Sequence, residues 1–217
     1  MFLKIESEYL GLVDYSQAYE IQKNKWNSVQ SNEKHICIFG LEHPDVITLG
    51  RRATDLEVFS TQIPVVKSTR GGLATLHSPG QLVVYPILQV RPYFGGVRNY
   101  VAQLLEITSQ VFKKYYDVQT HFDEANAGLY TEKGKIAFCG LEIKSGVSLH
   151  GLSININNNV ELFQQIRPCG LNDLCIDQLS NYNKAVSVEL FFQNWMIEFK
   201  KYISEQDKTF YEKWVSL

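Results

Sequence analysis

Apolar positions recur at helical spacing in three stretches of the chain. Residues 15–30 carry Tyr15, Ala18, Tyr19, Gln22, Trp26 and Val29 along one stripe, with Asp14 placed as an N-cap. Residues 98–116 repeat the pattern through Tyr100, Leu104, Ile107, Val111 and Tyr115. Residues 188–203 do so through Phe191, Phe192, Trp195, Phe199 and Tyr202, after Ser187 as cap. These aromatic stripes read as core packing. Between them lie short β-rich runs bounded by turn residues, at 35–41, 46–49, 64–68, 82–89, 118–122, 135–143 and 148–156. Several follow one another with no helix between them. The expected fold is therefore α/β of the α+β type, with a mixed, largely antiparallel sheet and flanking helices. Residues 1–217 are expected to form a single domain, with the helical C-terminal segment from about 186 packed on it.

Composition narrows the class without naming a chemistry. The 217 residues are 45% hydrophobic and 20% charged, with a net charge of −2, which describes a globular chain and neither a disordered one nor a basic nucleic-acid binder. No run approaches the roughly 20 apolar residues of a transmembrane helix. Lys4, Glu6 and Glu8 interrupt the opening stretch where a secretory signal needs an apolar core. Cys37, Cys139, Cys169 and Cys175 show no zinc-type spacing. Free thiols in a cytoplasmic protein, expected as a monomer without nucleic-acid or membrane partners, are the reading that follows.

Three segments carry reactive or ligand-binding residue types. In Arg70-Gly71-Gly72-Leu73-Ala74-Thr75-Leu76-His77, paired glycines permit positive φ and close approach of a ligand. The segment is either a tight interstrand loop or an anion-binding nest with Arg70 beside it. In Arg167-Pro168-Cys169-Gly170, proline stiffens the backbone and glycine leaves the sulfur uncrowded, so Cys169 is either a buried thiol or a nucleophile. In Lys135-Ile136-Ala137-Phe138-Cys139-Gly140, strand alternation places Lys135, Ala137 and Cys139 on one face. Lys135 either snorkels to solvent or meets an anion at the sheet edge, and Cys139 is a rival nucleophile. His150-Gly151 brings a second polar intrusion into a strand.

Together with Leu41-Glu42-His43-Pro44-Asp45-Val46-Ile47-Thr48-Leu49-Gly50-Arg51, these segments occur in an order that resembles the lipoyl(octanoyl) transferases, or lipoate-protein ligase B family. The resemblance runs from about residue 35 to 180. It implies the catalytic-domain fold shared with biotin and lipoate ligases. It further implies Cys169 as an acyl-thioester nucleophile with Lys135 as its partner. The acyl site is then expected among Arg70, Gly71, Gly72, Leu73, Ala74, Thr75, Leu76, His77, Phe138, Cys139, Gly140, His150, Gly151, Leu152 and Ser153. The implied donor is octanoyl-acyl carrier protein. The implied acceptors are lipoyl domains of 2-oxoacid dehydrogenases and the glycine cleavage H protein. Neither metal nor other cofactor is implied. Leu73, Leu76 and Ser78 depart from the family pattern, which bears on pocket shape and acyl-chain length. An ATP-dependent lipoate or biotin ligase, which needs no cysteine, is the alternative; an acyl-carrier-protein thioesterase and a non-catalytic carrier binder are the others.

Overall fold

The computed structural model describes residues 3–59, 62–123, 126–167, 174–183 and 185–215, with side chains described as far as Gln206. The chain opens with strand β1 (Lys4–Leu12), helix α1 (Tyr15–Gln30) and strand β2 (His35–Glu42). This right-sized crossover lets β1 pair parallel to β2. Asp14 caps α1 by accepting the Ser16 amide at 2.8 Å. The buried face of the helix is Tyr15, Ala18, Gln22 and Val29. There follow β3 (Val46–Leu49), β4 (Val65–Lys67), β5 (Ala74–His77) and β6 (Gln81–Ile87). Next come α2 (Val90–Phe94), α3 (Val97–Tyr116), β7 (His121–Phe122), β8 (Gly128–Tyr130), β9 (Lys135–Lys144), β10 (Val147–Asn155) and α4 (Val188–Val215).

Seven strands form the main sheet in the order β1-β2-β6-β10-β9-β8-β7, and β4-β3-β5 form a smaller one. Apart from β1–β2 and β3–β4, the strand pairs are antiparallel. Strand β2 shows how the layers divide. Ile36 and Ile38 face α3 and α4, packing with Tyr100, Leu104, Phe112, Phe191, Trp195 and Phe199. Cys37, Phe39 and Leu41 face the other way, against Ala18 and Val29 of α1. A third cluster, Ile47, Leu49, Leu76, Phe138, Phe163 and Ile166, fills the space beneath the small sheet.

The mixed, largely antiparallel sheet with flanking helices agrees with the sequence expectation, as do the three helices. The structure also adds β1, β5 and β8. The expected strand at 118–122 shrinks to His121–Phe122. The helix expected at 188–203 continues to Val215, and its aromatic residues enter the same core as the sheet. Among the described residues, no helix is long and apolar enough to cross a membrane.

Candidate active site

The Gly-rich segment lies between β4 and β5, braced from within by its own arginine. The Arg70 side chain is buried. It donates to Thr48 Oγ1 and the Thr48 carbonyl at 2.6–3.0 Å, and to the Gly71 and Leu73 carbonyls at 3.0 and 2.8 Å. The Gly71 amide donates to Leu141 O at 2.8 Å. A buried carboxylate, Glu57, accepts the Ala74 amide at 2.7 Å. Arg70 thus holds the turn to β3 through carbonyl groups, where the sequence left an anion nest and a tight loop both open. The Leu76 side chain belongs to the cluster under the small sheet and is not among the cavity-lining residues. The reason is strand alternation: Thr75 and His77 take the cavity side of β5, and Leu76 takes the core side.

Lys135 opens β9 through a local irregularity. Opposite β8, Leu129 pairs with Ala137 and Tyr130 pairs with Lys135, so Ile136 is an extra residue. Such a bulge re-aims the side chains around it. Ile136 and Ala137 both enter the main core. Lys135 instead comes to Phe138, its Nζ 4.9 Å from that ring and 5.2 Å from the ring of Tyr130. This corrects the expected grouping of Lys135 with Ala137 on one face. Lys135 is 1% exposed and donates to the Asn126 carbonyl at 2.8 Å. Gly128 makes room for it, because a Cβ there would collide with the Lys135 side chain and the Ala137 carbonyl. The Lys135 main chain is held from its other edge, donating to Cys175 O at 2.8 Å and accepting from the Asp177 amide at 3.0 Å.

Three histidines complete the cavity's surroundings, and all are neutral near pH 7. Burial pushes His43 down to about 4. Its Nδ1 faces the Val13 carbonyl at 2.6 Å and must donate, so Nε2 accepts from the Tyr85 hydroxyl at 2.8 Å. Burial also depresses His77 well below the usual imidazole range, reinforced by the proximity of His43. The Gln81 amide nitrogen donates to Leu76 O and Asn155 Oδ1, so its oxygen accepts from His77 Nδ1 at 2.6 Å. Asn155 then donates to the Asp177 carbonyl at 2.9 Å, joining His77 to the segment that braces Lys135. His150 is pushed down to about 3 by burial and by the Arg70 charge. It sits at φ 59°, stacks on Tyr19 at 5.4 Å and bonds Thr69 Oγ1 at 3.0 Å. A non-glycine residue in this left-handed region of a strand carries strain of the kind found at functional sites.

These groups surround one cavity of about 560 Å³, counting its open mouth. Arg70 to Thr75, His77, Phe138 to Gly140 and His150 to Ser153 line it together with Lys135. Sequence reasoning missed Tyr15, Val83, Tyr85 and Ala127. Tyr15 and Val83 look like ordinary core positions in sequence, whereas Tyr85, two residues before the end of β6, signals itself only by interrupting an apolar run. The Cys139 thiol is pushed up to about 12 by burial, against the pull of Lys135, and stays protonated near neutrality. Cys37 is pushed up to about 11, first by burial and then by Glu6. Cys175 is exposed. Cys169 lies outside the described residues.

Residues 14–200 match the lipoyl protein ligase A/B catalytic domain. The chain belongs to this family. A curated relative from Magnetococcus marinus, named octanoyltransferase, is 37% identical over 187 residues, covering 86% of this chain and 88% of its own. The octanoyltransferase of Francisella tularensis subsp. mediasiatica is 33% identical over 196 residues, covering 90% and 95%. Solved structures share the fold at lower identity. A lipoate-protein ligase A bound with ATP superposes at a TM-score of 0.75 with 10% identity, over 94% of this chain and 86% of that one. A biotin protein ligase from Aquifex aeolicus, in complex with biotin and ATP, gives 0.56 with 16% identity, over 96% and 72%. The family's catalytic-domain fold is the one that the sequence motifs led us to expect.

Proposed function

We propose that the chain is an octanoyltransferase that moves a medium-chain acyl group from acyl carrier protein to a lysine of a lipoyl domain. The observation that carries this reading is Lys135, an amine buried in the wall of a partly apolar cavity. The named octanoyltransferase relatives support the transferase assignment, and the Pro168-Cys169-Gly170 motif supplies the nucleophile. The Cys169 thiol gives its proton to Lys135, and the thiolate attacks the thioester carbonyl of the donor. The donor's carbon–sulfur bond breaks, and its pantetheine thiolate takes the proton back from Lys135, which is neutral again. Exchange of one thioester for another is nearly isoenergetic, so no ATP is consumed. The acceptor lysine then attacks the acyl-cysteine, its nitrogen gains the acyl group, Cys169 leaves, and Lys135 accepts the surplus amine proton.

The Gly72 and Leu73 amides on the cavity wall are assigned to the developing oxyanion, each such donor contributing about 3 kcal/mol. Phe138 and Leu152 supply apolar wall, which keeps water from the intermediate. Burial keeps the Cys139 thiol protonated near neutrality, which favours Cys169 over it as the nucleophile.

Incubation with octanoyl-carrier protein, followed by intact-mass analysis and site mapping, tests the proposal. One octanoyl group on Cys169 is expected, and none in Cys169→Ser. Lys135→Ala should form the adduct about 10²- to 10⁴-fold more slowly at pH 7, with a smaller deficit at alkaline pH. An adduct on Cys139, or pyrophosphate release from ATP with free octanoate, would refute the reading.

A further inference from the structure

Outside the cavity, one group of side chains has no part in acyl transfer. Glu6 and Cys37 are register partners in the parallel pair β1–β2, and His35 lies two residues before Cys37 on the same face. His35 Nε2 is 3.3 Å from Glu6 Oε1 and 3.4 Å from Cys37 Sγ, and Cys37 Sγ is 3.7 Å from Glu6 Oε2. Ligands bound to one tetrahedral ion at about 2.0–2.3 Å stand about 3.3–3.7 Å apart. Either Glu6 oxygen thus gives two edges of tetrahedral length, and with one atom from each residue the three lie within 4.8 Å of one another, so a small turn of the Glu6 carboxylate completes three corners of a tetrahedral site. Cys37 is fully buried and fixes one corner, whereas the side chains of His35 and Glu6 are 12% and 33% exposed, leaving a path for an ion.

We propose that Glu6, His35 and Cys37 form a zinc-type transition-metal site that fastens β1 to β2. One thiolate, one imidazole and one carboxylate suit a borderline ion and not magnesium or calcium, and water takes the fourth position. Among the described residues, edge strand β1 pairs only with β2 in the main sheet, so a metal bridging the two ties that edge to the sheet. Binding releases the Cys37 proton and forms a metal–sulfur bond. It also displaces Lys4 and Lys25 from the Glu6 carboxylate. Both lysine side chains are substantially exposed, at 64% and 39%, and such surface pairs are worth little. The sequence hid this site because its ligands come from two strands separated by a helix.

Cobalt(II) alone, titrated into the full chain, tests the proposal. A thiolate-to-cobalt charge-transfer band with tetrahedral visible absorption should appear and be bleached by zinc. The band should survive in Cys139→Ser, Cys169→Ser and Cys175→Ser and be absent in Cys37→Ser. Should that last variant fail to fold, Glu6→Gln and His35→Gln decide. Each removes a direct ligand and should weaken cobalt by more than the roughly 10- to 100-fold cost of losing an outer-shell partner. Lys25→Met, which removes a competing ammonium, should tighten cobalt several-fold. No charge-transfer band in the wild type overturns the proposal. So does a band that survives Cys37→Ser, or cobalt affinity unchanged in Glu6→Gln.

Discussion

His43, His77 and His150 are each enclosed so that the neutral ring is the stable form, and this sets a direction for acid sensitivity. The unfolded chain protonates its histidines from about pH 6.5, whereas folded His43 waits until about 4 and His150 until about 3. Between those limits the unfolded state binds more protons, so stability falls as pH falls. Each histidine contributes up to about 1.4 kcal/mol per pH unit in that window. Urea midpoints should be nearly flat from pH 8 to 7 and drop steeply from pH 6 to 5. A midpoint unchanged at pH 5 would show that these rings are protonated in the folded protein. In sequence, His77 stood out at the end of a Gly-rich segment and His150 as a polar residue beside a glycine. The part played by His43 was not legible, because its partners, Val13 and Tyr85, are far from it along the chain.

At the level of elements, the start of β9 is defined by its two edges. The bulge at Ile136 faces β8, and the stretch around Cys175–Asp177 lies along the other edge, bridging Lys135 and Ile176. Asp177 anchors that stretch: its buried carboxylate accepts from Thr131 Oγ1, from Tyr182 and Asn181 at 2.7 and 2.6 Å, and from the Gln178 amide at 2.8 Å. Burial alone raises its pKa, but these bonds outweigh it and hold the carboxyl below the usual aspartate range. Its stabilisation is therefore present above the unfolded aspartate pKa and lost as pH falls through the folded one. Asp177→Ala leaves several buried donors unpaired. It should cost about 3 kcal/mol in urea unfolding at pH 7 and slow acyl-enzyme formation by loosening the Lys135 backbone. Full stability in this variant would argue against the anchoring role. Period-2 alternation located β9 in sequence and separated Ala137 and Cys139 from Phe138, but it misplaced Lys135 and Ile136, because a bulge leaves no signature in the order of apolar residues. Strand β5 was hidden for another reason: a four-residue strand buried on both faces, one residue after two glycines, has the local composition of a loop.

Across the whole molecule, the net charge of −2 conceals an uneven rim. Arg51 and Arg52 are exposed, and their amides donate to the Arg70 and Gly72 carbonyls at 3.0 and 3.1 Å, which sets them beside the cavity's turn. Two exposed arginines beside the cavity suit a protein substrate with an acidic surface. Arg51→Glu with Arg52→Glu should raise KM for the carrier about tenfold, ~1.4 kcal/mol, with kcat preserved and the difference fading at high salt. An equal KM at low salt would place docking elsewhere. The helices and the class of sheet were legible in sequence because large apolar residues must be buried whatever the details. The cavity was legible only in pieces, since its walls come from α1, β5, β6, β9 and β10. That dispersal has a kinetic meaning. Tyr15 and Ser153 reach the same space only after α1 has docked and β2, β6 and β10 have paired across long sequence separations, and such pairings are slow to assemble. Enzyme activity regained during refolding should therefore lag behind helix formation and mark the last cooperative step, so turnover serves as a clock for completion of the fold.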